Sequence, residues 1–180
     1  MSGMRSLAVV LLVAMFAALL PAQEDAGTMP PWEVASIAEQ LETQVGQVEQ
    51  ILSGIKPEEW QASGAAAYSA QRETLMLELS HLRNSARAMA RAPERLPLVV
   101  DTFLWIDRTD SMMASMTDGV RRYQNGAVAD LLESARGQYS GAGEKLKEYM
   151  QQLAVSVDAQ MQIAHEEAQR CRTELVTKPR

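Results

Sequence analysis

From Trp32 to Ile55 the chain reads WEVASIAEQLETQVGQVEQILSGI. Its apolar positions, Val34, Ile37 with Ala38, Leu41, Val45, Val48, Leu52 and Ile55, recur in alternating steps of three and four. That spacing places them on one stripe of an α-helix, close to a coiled-coil seam. Pro30-Pro31 stands where proline suits a helix start, and Lys56-Pro57 marks the end, because the residue before proline avoids helical angles. A short connection containing Trp60 runs to Gly64. The second helix is expected over residues 65–91, with a stripe of Tyr68, Leu75, Leu79, Leu82, Ala86 and Met89 that Arg72 interrupts. Ala92-Pro93 ends it and Pro97 opens a third helix. There Val99, Ile106, Met113, Val120 and Tyr123 line up with Met116, while Leu98, Trp105 and Met112 run alongside. So broad an apolar face is expected of a helix packed against two neighbours. Asn125-Gly126 is read as its end, with a left-handed residue there.

The last third keeps one seam through Leu132, Ala135, Tyr139, Ala142, Leu146, Tyr149, Leu153 and Val157, continuing less clearly through Ala164, Ala168, Cys171 and Leu175. Gly137, Gly141 and Gly143 cluster within it, and each weakens a helix by about 1 kcal/mol. A short helix to Arg136, a break or kink over Gly137–Gly143, and a long helix from Ser140 to Thr177 are therefore expected. No segment alternates with the period of two that a half-buried strand requires, and no internal repeat is present. The pattern predicts an all-α fold, an up-and-down bundle of four main helices.

The N-terminus changes the picture. Arg5 is followed by an unbroken apolar run, Leu7–Leu20, then Pro21-Ala22 and the acidic Glu24-Asp25. This is the layout of a secretory signal peptide, residues 1–22, cleaved after Ala22. The run is shorter than the roughly 20 residues of a membrane span, and no other segment approaches that length. Residues 23–180 are then one exported helical-bundle domain with no membrane span. The single cysteine, Cys171, excludes an internal disulfide, so the core must hold the fold. The formal net charge is −6, and one unit more negative once Arg5 is lost. An acidic chain is a poor general partner for nucleic acid, whose binding rests on neutralising phosphates.

Candidate chemistry is sparse. Met112, Met113 and Met116 fall within one turn and a half, and soft thioethers select Cu(I). The same positions extend the stripe of the third helix, and methionine is a flexible filler of core gaps, so the core is the preferred reading. Glu78-Leu79-Ser80-His81 is a Glu-x-x-His, but His165 belongs to none, and the usual di-iron bundle site needs that pattern on two helices. Met29 and His165 occupy the first-helix and last-helix positions that bind haem in the four-helix-bundle cytochromes, and to that extent the chain resembles them. It lacks a Cys-x-x-Cys-His attachment motif, Met29 precedes two prolines, and His165 flanks the seam. No Gly-x-Ser-x-Gly elbow is present, and the glycines around Ser140 do not make a phosphate loop, since Lys145 does not follow the last of them.

Charge is more informative. Acids occupy positions 24, 25, 33, 39, 42 and 49 before the first base of the mature chain, Lys56, whereas the second helix is read as carrying Arg83, Arg87, Arg91 and Arg95, each four residues apart. Like charges at that spacing repel, so the arginines either meet acids on a neighbouring helix or form a basic edge for an acidic partner. The first account is preferred. The expectation is an exported, non-enzymatic interaction or binding module of the cell envelope, in a periplasm or outside the cell, with an unknown protein partner and a homodimer plausible. No nucleotide, zinc, nucleic acid or other cofactor is expected; a periplasmic Cu(I) or haem carrier is the alternative.

Overall fold

The computed structural model describes residues 29–61 and 63–177. The expected signal segment, residues 1–22, lies outside them. Four helices follow one another: α1 (Pro31–Ser53), α2 (Ala65–Arg91), α3 (Leu96–Tyr123) and α4 (Gly126–Thr177), with a 3-10 turn at Pro57–Glu59 between the first two. Each packs on its sequence neighbours, and α1 also meets α4, so the four close a square with no diagonal contact among the described residues. This is the expected up-and-down bundle. Among the described residues no helix is long and apolar enough to cross a membrane.

The stripes read from the sequence form the core. Val34, Leu41, Val45, Val48, Leu52 and Ile55 are fully buried, as are Leu75, Leu79, Leu82, Ala86 and Met89 from α2. On α3 the buried row is Val99, Thr102, Ile106, Thr109, Met113, Met116 and Val120, an uninterrupted three-and-four alternation. Its two threonines return their hydroxyls to the helix: Thr102 Oγ1 donates to Leu98 O at 2.9 Å and Thr109 Oγ1 to Trp105 O at 2.8 Å. That is how polar side chains can occupy core layers.

Three expectations are corrected. First, α4 is one helix of 52 residues, about 78 Å long, with no break over Gly137–Gly143. Burial of Leu132, Tyr139, Leu146, Tyr149 and Leu153 outweighs the propensity cost of three glycines, because each large apolar side chain removed from water contributes about 1.5–3 kcal/mol. Gly143 also has a packing reason: a Cβ there would lie 3.2 Å from Ile106 Cγ2, so its smallness lets α3 and α4 approach. Second, Asn125-Gly126 does not end α3 in a left-handed turn, for no described residue has positive φ. Gly126 begins α4, and Asn125 Oδ1 accepts a hydrogen bond from Ala127 N at 2.8 Å, the geometry of an N-cap. Third, α2 stops at Arg91, so Arg95 sits beyond it, immediately before α3.

Tyr139 sits at the centre of the seam. It is fully buried, and its hydroxyl has no hydrogen-bond partner among the described residues. Burial, reinforced by the negative charge of Glu49, pushes its phenol pKa up. The fold therefore requires the neutral phenol. The resulting stability is fully present below the ordinary pKa of 10.0 and is lost as pH rises towards the higher folded value. Tyr139→Phe is expected to raise stability by about 1 kcal/mol at neutral pH. It should also flatten the fall in melting temperature above about pH 10; an unchanged alkaline slope would assign that fall to other groups.

Candidate interaction surface

The methionines are a core feature. Met113 and Met116 are fully buried in the α3 row, and Met112 is half-buried against the same cluster. Met112 offers Gln71 Nε2 its backbone carbonyl, at 3.3 Å. Methionine and leucine are nearly equal in volume. Met112→Leu, Met113→Leu and Met116→Leu are accordingly expected to cost less than about 1.5 kcal/mol each in urea denaturation, with no change in competition for Cu(I) against a chelator. Loss of a stoichiometric Cu(I) ion on substitution would instead make them ligands.

The histidines do not converge with other ligands. His81 is exposed and stacks on Trp105, ring centroids 5.0 Å apart. Met29 N donates to Gln152 Oε1 at 3.1 Å, which fixes the start of α1 beside that turn of α4. His165 lies thirteen residues farther along α4, about 20 Å away, and is exposed. The Met29–His165 pair therefore cannot grip one haem. Among the described residues no group of three His, Cys, Asp or Glu side chains could hold a metal ion.

The arginine row divides. Arg83 pairs with Glu49, and Arg87 Nε donates to Glu42 Oε1 at 2.9 Å, so both meet acids of α1. That bond to Arg87 holds the Glu42 carboxyl below its ordinary pKa. Arg91 and Arg95 are exposed and meet no acid among the described residues. Two arginines separated by a helix end do not make the continuous basic edge that docking would need. A shallow groove of about 320 Å³ between Ala38, Glu39, Glu42, Ala86, Arg87 and Arg91 carries both signs of charge.

A polar cluster that the sequence did not announce lies between α2 and α3. Glu78, with only 4% of its side chain exposed, accepts from Arg108 Nε at 2.6 Å, while its other oxygen has no partner among the described residues. Arg108 in turn lies over the Trp105 ring, 5.7 Å from its centroid. Nearby, Ser85 Oγ donates to Asp101 Oδ2 at 2.5 Å and lies 2.9 Å from Thr102 Oγ1. These side chains bond across the helix pair and so register α2 against α3.

The most exposed apolar surface belongs to α4. Tyr149 Oη donates to Pro93 O at 2.9 Å, so the α2–α3 turn, the start of α1 and this part of α4 share one end of the bundle. Burial on α4 ends at Val157, and every residue from Asp158 to Thr177 is exposed. The helix thus projects about 30 Å past the bundle as a bare arm. Met161 is 67% exposed and Leu175 80%, with Ile163 and Val176 similarly open. Val157, Met161, Ala164, Ala168, Cys171 and Leu175 recur in steps of four and three along this arm. At 100° per residue they continue the face that Leu146, Tyr149 and Leu153 bury inside the bundle. The seam was read in the sequence; its emergence from the bundle was not, because spacing shows a stripe but not whether three other helices reach far enough to cover it.

No protein-family model, curated protein or solved structure matches this chain.

Proposed function

We propose that this chain is an exported, non-enzymatic interaction module of a bacterial cell envelope, and that the arm of α4 is the part that binds. The arm carries the reading: a helix that leaves its bundle with an apolar seam still on it has surface to bury and no helix among the described residues to bury it against. The layout of residues 1–22 supports export. The non-enzymatic part of the reading is supported by the polar clusters, whose charged groups bond to one another across helix pairs among the described residues.

Produced in a bacterial host with its own N-terminus, the protein is expected in the periplasmic fraction with an intact mass that begins at Gln23. A photo-reactive residue at position 163, on the arm, should give a discrete covalent adduct in that fraction, whereas one at position 50, on exposed α1, should not. Retention of residues 1–22 on a cytoplasmic protein would end the export reading, and equal labelling from both positions would end the arm's role.

A further inference from the structure

We propose that the partner of the arm is the arm of a second copy, packed antiparallel from Val157 to Leu175 about a two-fold axis between Ala164 and Ala168. The proposal rests on the arm being the binding element and supplies its occupant. Three features select this arrangement. The first is the seam itself. Antiparallel pairing sets Val157 against Leu175 of the partner subunit, Met161 against Cys171 of the partner subunit, and Ala164 against Ala168 of the partner subunit. Each layer occurs twice by symmetry, as a closed two-fold interface requires. The two alanines at the centre let the axes come close, at the low end of the usual 8–10 Å between packed helices.

The second is charge. Ahead of the axis at position 166 the arm carries Asp158, and beyond it Glu167, Arg170, Arg172 and Glu174. Antiparallel pairing puts Asp158 beside Arg172 of the partner subunit, twice. Parallel pairing would lay like on like. One like-charged meeting arises, Glu167 with its own symmetry copy at the axis, and it costs a few tenths of a kcal/mol at an exposed flank.

The third is room. Up to Leu153 the seam face of α4 is covered by its own bundle. A parallel partner helix, entering its own bundle at the same level, would be driven into α1–α3. In the antiparallel arrangement the two bundles stand at opposite ends of the paired arms and do not meet. The chain's own N-terminus is a poor substitute. Cleaved after Ala22, it leaves Gln23–Thr28 ahead of Met29, a segment whose largest apolar side chain is that of Ala26 and which spans at most about 20 Å.

Sedimentation equilibrium of the mature chain tests the proposal. The expected species is a dimer. Ala168→Glu should weaken it on the order of 100-fold while leaving the bundle's far-UV circular dichroism unchanged, because Ala168 is exposed in the single copy and supports none of its core. Asp158→Arg alone should weaken the dimer and Arg172→Asp added to it should restore the affinity, a rescue that only antiparallel pairing gives. Met161→Cys, treated with a mild thiol oxidant, should yield covalent dimers through Cys171. The natural chain should not, since its two Cys171 residues would lie about 15 Å apart along the axis, beyond disulfide reach. A monomer, a dimer indifferent to Ala168→Glu, or spontaneous cross-linking through Cys171 alone would each overturn the proposal. A monomer that still forms the position-163 adduct with another protein would overturn the self-pairing and leave the interaction reading standing.

Discussion

Replacing Arg108 with alanine is expected to destabilise the bundle by about 3 kcal/mol. The loss comes from the partner. Arg108 is 63% exposed, so its guanidinium is largely hydrated already, but the Glu78 carboxylate it bonds is almost wholly buried. One Glu78 oxygen has no partner among the described residues even in the intact protein, and removal of Arg108 would leave both without one. An uncompensated buried charge is among the costliest defects a core can carry, typically 3–5 kcal/mol. The lower end applies here because water can enter along the path the arginine vacates. For a domain of this size the melting temperature should fall by roughly 6–12 °C. Glu78→Met, which removes the charge and keeps the volume, is expected to be near neutral. Arg108→Ala in that background should then cost under about 1 kcal/mol, the contribution of its contact with Trp105. If Arg108→Ala proves as mild in the natural background as in Glu78→Met, Glu78 does not need its arginine.

The second large effect is at Gly119, inside α3. Alanine is the better helix former by about 1 kcal/mol, so propensity alone predicts a gain. A Cβ at this position would stand 2.5 Å from Tyr68 Cε1 and 2.9 Å from its Cζ, closer than real contacts allow. Tyr68 has little freedom to retreat, because Trp60 packs on it at 5.3 Å and Tyr123 at 6.1 Å between ring centroids. Trp60 is itself tied to the end of α3 through its Nε1, which donates to Gln124 Oε1 at 3.2 Å. Overpacking of this kind costs about 1–3 kcal/mol, more than the helix gains. Gly119→Ala is therefore expected to lower stability and to alter the near-UV circular dichroism of the aromatic cluster. Gly46→Ala supplies the contrast: nothing lies within 4 Å of a Cβ there, so only the propensity gain should be seen. Equal gains at both positions would mean that the Tyr68 ring yields without cost.

Most of the bundle was legible because its seams are apolar and periodic. The reading stopped where a core layer is filled by something else. Thr102 and Thr109 complete the α3 row, yet a threonine at a seam position looks like an interruption until its hydroxyl is seen returning to the preceding turn. Glu78 and Arg108 are thirty residues apart, and only the packing of α2 on α3 makes them neighbours. The glycines of α4 misled in the opposite sense. Intrinsic propensity argued for a break, but burial on either side of Gly137 and the close approach at Gly143 decide the conformation. The arginine row was legible as far as its pairing with α1 and misread at Arg95, where Pro93 and Pro97 end one helix and open another. The arm of α4 was visible as a seam and invisible as a surface.

The square of helices also bears on how the chain reaches it. Three of the four packed edges join helices adjacent in sequence, with Gln124-Asn125 alone separating α3 from α4. Such pairings form with little loss of loop entropy, and chains dominated by them collapse to their final topology on microsecond to millisecond timescales. The fourth edge is different in kind. Bringing α1 against α4 closes a loop of most of the described chain, and its entropy must be met in one step. The seam of Leu41, Val45, Val48 and Leu52 on α1 therefore closes against α4 at least entropic cost once the three local edges have paired and brought the two helices together.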